Sequence, residues 1–160
     1  VMAVRRTACA ARQLPFAEWP MDGADVPPGE WGAATRTAAA DVADAWVGVD
    51  PDRLTDLPWG RFPAENVLAV YVNEVTVHTW DLAQATGQDP TYDDEVIAAS
   101  SIAIHDQLPM ADRRPVWDAM AATLPEGIPW EDPFGNAVPV PDDASPIDQL
   151  VAWNGRRPLA

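Results

Sequence analysis

Seventeen prolines cut this 160-residue chain into compartments. A proline inside a helix removes a backbone donor and clashes with the preceding turn, so regular elements must fit between them. The stretch Ala64 to Thr86 stands out because it runs over twenty residues without glycine or proline, between Pro63 and Gly87. Its many valines pull towards strand, but its length and the glycine that follows predict a helix.

The other compartments are read in the same way. Val1 to Gln13 places Val1, Val4, Ala8 and Ala11 at helical spacing, without a capping residue in front. Leu14 to Gly29 holds Pro15, Pro20, Pro27 and Pro28 and is expected to be a loop. Trp31 to Val47 is expected to be a helix with a stripe of Trp31, Ala34, Ala38, Val42, Ala45 and Trp46. Asp50 to Pro63 reads as a connector with a short extended pair near Trp59 to Phe62.

Asp93 and Asp94 can cap a helix reaching about Gln107, with Val96, Ile97, Ser100 and Ile104 inward. Pro115 to Leu124 is expected to form a short helix. Pro125, Pro129, Pro133, Pro139 and Pro141 then impose an extended path from Glu126 to Asp143. Ser145 followed by Pro146, with Gly155 beyond, predicts a terminal helix from Pro146 to Trp153. The paired acids Asp93-Asp94 and Asp142-Asp143 fall where helices start or loops turn, which is where carboxylates cap. The expectation is an all-α single domain, with bundle helices over 1–87 and further helices with a proline-rich tail over 88–160.

Charge removes several function classes. Twenty-five acids against ten bases give a formal charge of −15, which repels phosphate backbones and anionic lipid, so neither nucleic acid nor membrane is an expected partner. All ten bases are arginine, which excludes Schiff-base lysines and the lysine of a phosphate-binding loop. Cys9 is the only cysteine, so an intramolecular disulfide is impossible. No apolar run reaches the roughly 18 to 20 residues that span a bilayer. The apolar run after Arg5 and Arg6 is too short for a secretory signal, and a cytoplasmic protein is expected.

Chemistry concentrates in Asn73-Glu74-Val75-Thr76-Val77-His78-Thr79-Trp80-Asp81-Leu82. A four-residue spacing on a helix stacks Glu74 and His78 on one face, giving a carboxylate and an imidazole suited to a divalent metal. A catalytic metal site usually takes three protein ligands, so the pair is two thirds of one. The same spacing serves equally for a plain Glu-His hydrogen bond or a solvated surface pair. Tyr71 and Asp81 share the face, the first as a pocket residue and the second as a direct ligand or a group that orients one. His105 reads as exposed or hydrogen-bonded, Cys9 as a small core residue, and Trp80 with the other tryptophans as core.

The run from Glu74 through His78-Thr79-Trp80-Asp81-Leu82-Ala83-Gln84-Ala85-Thr86-Gly87 resembles the DinB-like superfamily related to mycothiol-dependent maleylpyruvate isomerase. Its actinobacterial members carry an acid, three residues, then His-x-Trp-Asp-Leu-Ala-x-Ala-Thr-Gly. The tail from Phe134-Gly135-Asn136 to Leu150, closing at Gly155-Arg156-Arg157-Pro158, is similar to the C-terminal signature of an uncharacterised metal-binding subgroup. Abundant Ala, Arg, Asp, Pro and Trp without Lys suits a GC-rich actinobacterial genome.

The resemblance implies a four-helix bundle holding a divalent metal, commonly zinc, with Glu74 and His78 as two ligands and one histidine near the start of the second helix as the third. Alignment places that histidine just before Val1, so the first bundle helix is expected to be missing here. Its loss would leave an apolar groove that a second copy could fill as a homodimer. The implied partners are a small-molecule thiol, mycothiol, and a small electrophilic substrate. The implied activity is isomerase or thiol transferase, and the alternative is a non-catalytic ligand-binding or metal-free remnant of the same fold.

Overall fold

The computed structural model describes residues 1–57, 60–124 and 131–158. The chain is mostly helical, with six α-helices and one small two-stranded sheet among these residues. It forms two compact units, Val1–Tyr71 and Val72–Ala160. No helix among the described residues is long and apolar enough to cross a membrane.

In the first unit, α1 (Met2–Ala11) ends at the last of the spaced apolar residues, two residues before Gln13, which lies in the left-handed region. Its second half, Thr7 to Ala11, is buried on every side. Val1 and Val4 are only half-buried, so the stripe is real only from Ala8 onwards. A single 3-10 turn at Phe16–Glu18 interrupts the proline-rich loop that leads to α2 (Trp31–Trp46).

Helix α2 packs one-sidedly on α1. Ala38 is its one buried residue, and Trp31 is 47% exposed, contrary to the expected stripe. The Trp31 ring instead lies over Gly23, where an added Cβ would come within 2.7 Å of it. Arg12 donates to both carboxylate oxygens of Asp41 at 2.8 and 2.6 Å, and Trp46 Nε1 donates to the Thr7 carbonyl, tying α1 to α2.

Strands β1 (Leu54–Leu57) and β2 (Gly60–Pro63) pair antiparallel with Leu54 opposite Pro63 and Thr55 opposite Phe62. The expected extended pair is therefore real but begins earlier, at Leu54; Trp59 lies outside the described residues. The sheet starts the long helix α3 (Ala64–Thr86). The first amides of α3 have no partner inside the helix, and those of Ala64 and Glu65 donate to the carbonyls of Arg53 and Pro51. Val67 and Tyr71 then pack with Cys9, Ala10 and Trp19 in one cluster.

The second unit contains the rest of α3 with α4 (Asp94–Gln107), α5 (Arg114–Ala121) and α6 (Pro146–Trp153). Asp93 caps α4 by accepting from the amides of Glu95 and Val96. Ser145 caps α6, and its hydroxyl donates to Asp148, so the cap closes from both sides. Asp142 and Asp143 occupy the turn before it. Ile97, Ser100 and Ile104 face inward as expected, but Val96 is 40% exposed. Val96 lies in the first turn of α4, whose inward residues Ile97 and Ile104 share a cluster with Trp117 of α5 and Leu150 of α6.

The irregular tail is fixed by polar contacts. Arg113 is 1% exposed and pairs with no carboxylate among the described residues. It donates to the carbonyls of Pro109 at 2.6 Å, Gly135 at 2.5 Å and Trp153 at 2.7 Å, and its own amide donates to Asn136 Oδ1. Backbone bonds from Ala137 to Met110 and from Val138 to Ala152 extend the attachment. Of the expected extended path, the part over 125–130 lies outside the described residues.

Replacing Arg113 with Met keeps most of the volume but strands three carbonyls, each costing about 1 kcal/mol or more when buried. The expected loss in urea unfolding is at least about 3 kcal/mol. A loss under about 0.5 kcal/mol, the range of an ordinary surface change, would contradict this role.

Candidate metal centre

Helix α3 is built from residues that favour strands, a cost of up to about 0.7 kcal/mol each against alanine. Burial outweighs it. Within the second unit Asn73, Val77, Trp80 and Ala83 form a buried column at three- and four-residue spacing. The hydroxyls of Thr76, Thr79 and Thr86 donate back to the carbonyls of Val72, Val75 and Leu82, so these threonines are satisfied inside the helix.

Each chemically interesting residue follows a buried one by a single position. Asn73 precedes Glu74, Val77 precedes His78, and Trp80 precedes Asp81. The buried column thus holds a second column, Glu74-His78-Asp81, at the boundary with solvent. The side chains of Glu74 and Asp81 are 34% exposed and that of His78 is 54% exposed.

Both nitrogens of the imidazole are engaged. Nε2 lies 3.2 Å from Glu74 Oε1, and Nδ1 lies 3.0 Å from Asp81 Oδ2. Asp81 in turn receives Arg156, with Nη2 at 3.0 Å from Oδ2 and Nε at 3.3 Å from Oδ1. The hydrogen bond from Glu74 raises the His78 pKa above its ordinary value; burial opposes this, and Asp81 adds to it. Burial alone would raise the Asp81 carboxyl, but the Arg156 hydrogen bond and charge, then His78, hold it below the usual value.

The 3.2 Å contact between Glu74 and His78 is that of a hydrogen bond, and its length can also be compared with the spacing of two metal ligands. Two donors about 2.1 Å from a tetrahedral zinc lie about 3.4 Å apart, close to the Glu74 to His78 separation. Asp81 contacts the far nitrogen, where a carboxylate orients a ligating histidine. No group of three or more His, Cys, Asp or Glu side chains that could hold a metal occurs among the described residues.

The remaining candidates go elsewhere. Tyr71, read as a pocket residue, is buried in the first unit's core. Cys9 lies in the same cluster, and burial pushes its thiol pKa up, which opposes the thiolate a metal would need. His105 is exposed and its ring centroid lies 3.9 Å from that of Trp153. Trp80 is core, beside Val77 and Val151.

Two partners escaped the sequence reading. Asn73 and Asn154, 1% and 0% exposed, exchange amide hydrogen bonds at 3.0 and 3.1 Å. Arg156 reaches Asp81 across 75 residues. The sequence signals for them are an asparagine inside an apolar column and the tail signature that closes at Gly155-Arg156.

Among known proteins, the chain is similar to two uncharacterized proteins of Mycobacterium tuberculosis, Rv0738 and MT0763. Each is 32% identical over 100 residues, covering 62% of this chain and 47% of the relative. The chain spans about half the length of the curated relatives it matches. No family model matches it, and no solved structure does.

The raised His78 pKa links stability to pH. A group whose folded pKa exceeds its unfolded value of about 6.5 contributes fully below that value, and the contribution is lost as pH rises through the folded pKa. Half-exposure keeps the effect to less than about 1 kcal/mol. NMR titration should give His78 a lower pKa in Glu74→Gln than in the parent chain, and that variant should lose less stability on moving from pH 6 to 8. An unchanged His78 pKa in Glu74→Gln would contradict the contact.

Proposed function

We propose that this chain is a DinB-like, divalent-metal-binding bundle protein in which Glu74 and His78 are two of the metal's ligands. The observation that carries the proposal is the 3.2 Å approach of His78 Nε2 to Glu74 Oε1, a separation compatible with two ligands on one ion, with a carboxylate behind the other ring nitrogen. The match of the Glu74 to Gly87 run to the family motif supports it independently.

Zinc bound there supplies Lewis acidity that lowers the pKa of a thiol brought to it. The residues of this chain do the rest. Glu74 contributes negative charge and an oxygen donor. His78 contributes the Nε2 lone pair, and Asp81 holds the proton on Nδ1 so that Nε2 is the free donor. The resemblance favours mycothiol as the thiol and a small electrophile as its partner. Addition to an unsaturated acid, rotation and elimination give cis-trans isomerisation; attack on an electrophile gives thiol transfer.

One observation favours a second reading, a metal-free ligand-binding or remnant bundle. Both His78 nitrogens already have hydrogen-bonding partners, and no third ligand joins the pair among the described residues.

Cobalt or zinc titration separates the two. Glu74→Gln and His78→Ala are each expected to weaken metal binding at least tenfold, since each removes one of two donors. Supplementing the metal-loaded protein with mycothiol and a cis-unsaturated keto acid is expected to give the trans isomer, and His78→Ala none. Identical metal affinity in the parent and both variants would end the metal reading.

A further inference from the structure

The tail segment from Phe134 to Arg156 has no role in the chemistry just proposed, yet it ends on a side chain held from several directions. Besides its fork on Asp81, Arg156 donates from Nη1 to the Asn154 carbonyl at 2.8 Å, and its backbone amide donates to Val151 at 2.9 Å. Its guanidinium carbon lies 5.5 Å from the centre of the Phe134 ring.

The glycines on either side make this mount possible. Gly155 has φ +81°, and a Cβ there would lie 3.1 Å from both the nitrogen and the oxygen of Gly135. No other residue meets both conditions without displacing the tail. The Gly135 carbonyl is itself held by Arg113. Arg156 is therefore 20% exposed and fixed, and not a free surface arginine.

Asp81 alone would not aim well. A carboxylate 34% exposed on a helix surface has several rotamers open to it. A two-pronged guanidinium contact fixes both of its oxygens. The oxygen that receives Arg156 Nη2 is the one 3.0 Å from His78 Nδ1, so the fork and the imidazole meet on one shared atom.

We propose that Arg156 is a positioning residue: mounted on the Phe134-Gly135 and Gly155 tail, it clamps Asp81 and so fixes the His78 ring with Nε2 aimed at Glu74. The purpose of that aim rests on the metal reading; the aim itself does not. A tail that merely stabilised the fold would leave the His78 side-chain angle unchanged.

Three-bond carbon and nitrogen couplings to Cγ of His78, measured on labelled, metal-free protein, report that angle. One staggered χ1 rotamer is expected in the parent chain. Arg156→Gln and Asp81→Ala should each show rotamer averaging, and the double variant should average no more than Asp81→Ala alone. If Arg156→Gln does not fold, Arg156→Lys, which keeps the charge and loses the fork, should average too. A single His78 rotamer in folded Asp81→Ala, or in a folded Arg156 variant, overturns the proposal.

Zinc titration supplies the second readout. Arg156→Gln is expected to weaken binding about tenfold, as loss of a partner behind a ligand does, with no additional loss on the Asp81→Ala background. Equal zinc binding by the parent and Glu74→Gln removes the metal reading and leaves the coupling result to decide the positioning role.

Discussion

Arg113 is the contact on which the second unit's irregular half depends. Burying a guanidinium without a carboxylate is costly, and burial lowers its pKa. The cost is offset because three backbone carbonyls from three separate segments, at Pro109, Gly135 and Trp153, would otherwise be left without donors. One side chain thus fixes the end of α4, the tail and the end of α6 to one another. Lysine could not do so, since its single ammonium lacks the planar fork.

From that anchor a chain of contacts leads to the candidate site. Arg113 holds Gly135, the glycines bring Gly135 against Gly155, and Arg156 follows immediately to meet Asp81, which meets His78. The buried exchange between Asn73 and Asn154 fixes α3 against α6 one residue before Glu74. An amide pair of this kind has direction and register that an apolar contact lacks. Together these contacts place the motif face of α3 beside a tail that reads by composition as an extended, proline-rich path.

The helices were legible because their limits are chemical and local. Proline and glycine mark the ends of α3, Asp93 caps α4, and Ser145 with Pro146 opens α6, each acting within a few residues. The Glu74 and His78 pair was legible for the same reason, as a spacing on one element. Burial was harder to read: Trp31 and Val96 satisfy a helical period yet are exposed. The contacts of Arg113, Asn73 and Arg156 were not legible, because nothing periodic relates residues 40 to 81 positions apart. The tail signature ending in Gly155-Arg156 was visible as a pattern, but its geometry was not.

In the proposed site His78, held from behind by Asp81, turns Nε2 towards a metal shared with Glu74. X-ray absorption on the zinc-loaded protein tests it most directly. The account predicts one imidazole in the first coordination sphere, with its outer-ring scattering, among nitrogen and oxygen donors at about 2.0 to 2.2 Å. A sphere of oxygens alone, with no imidazole signature, would contradict it.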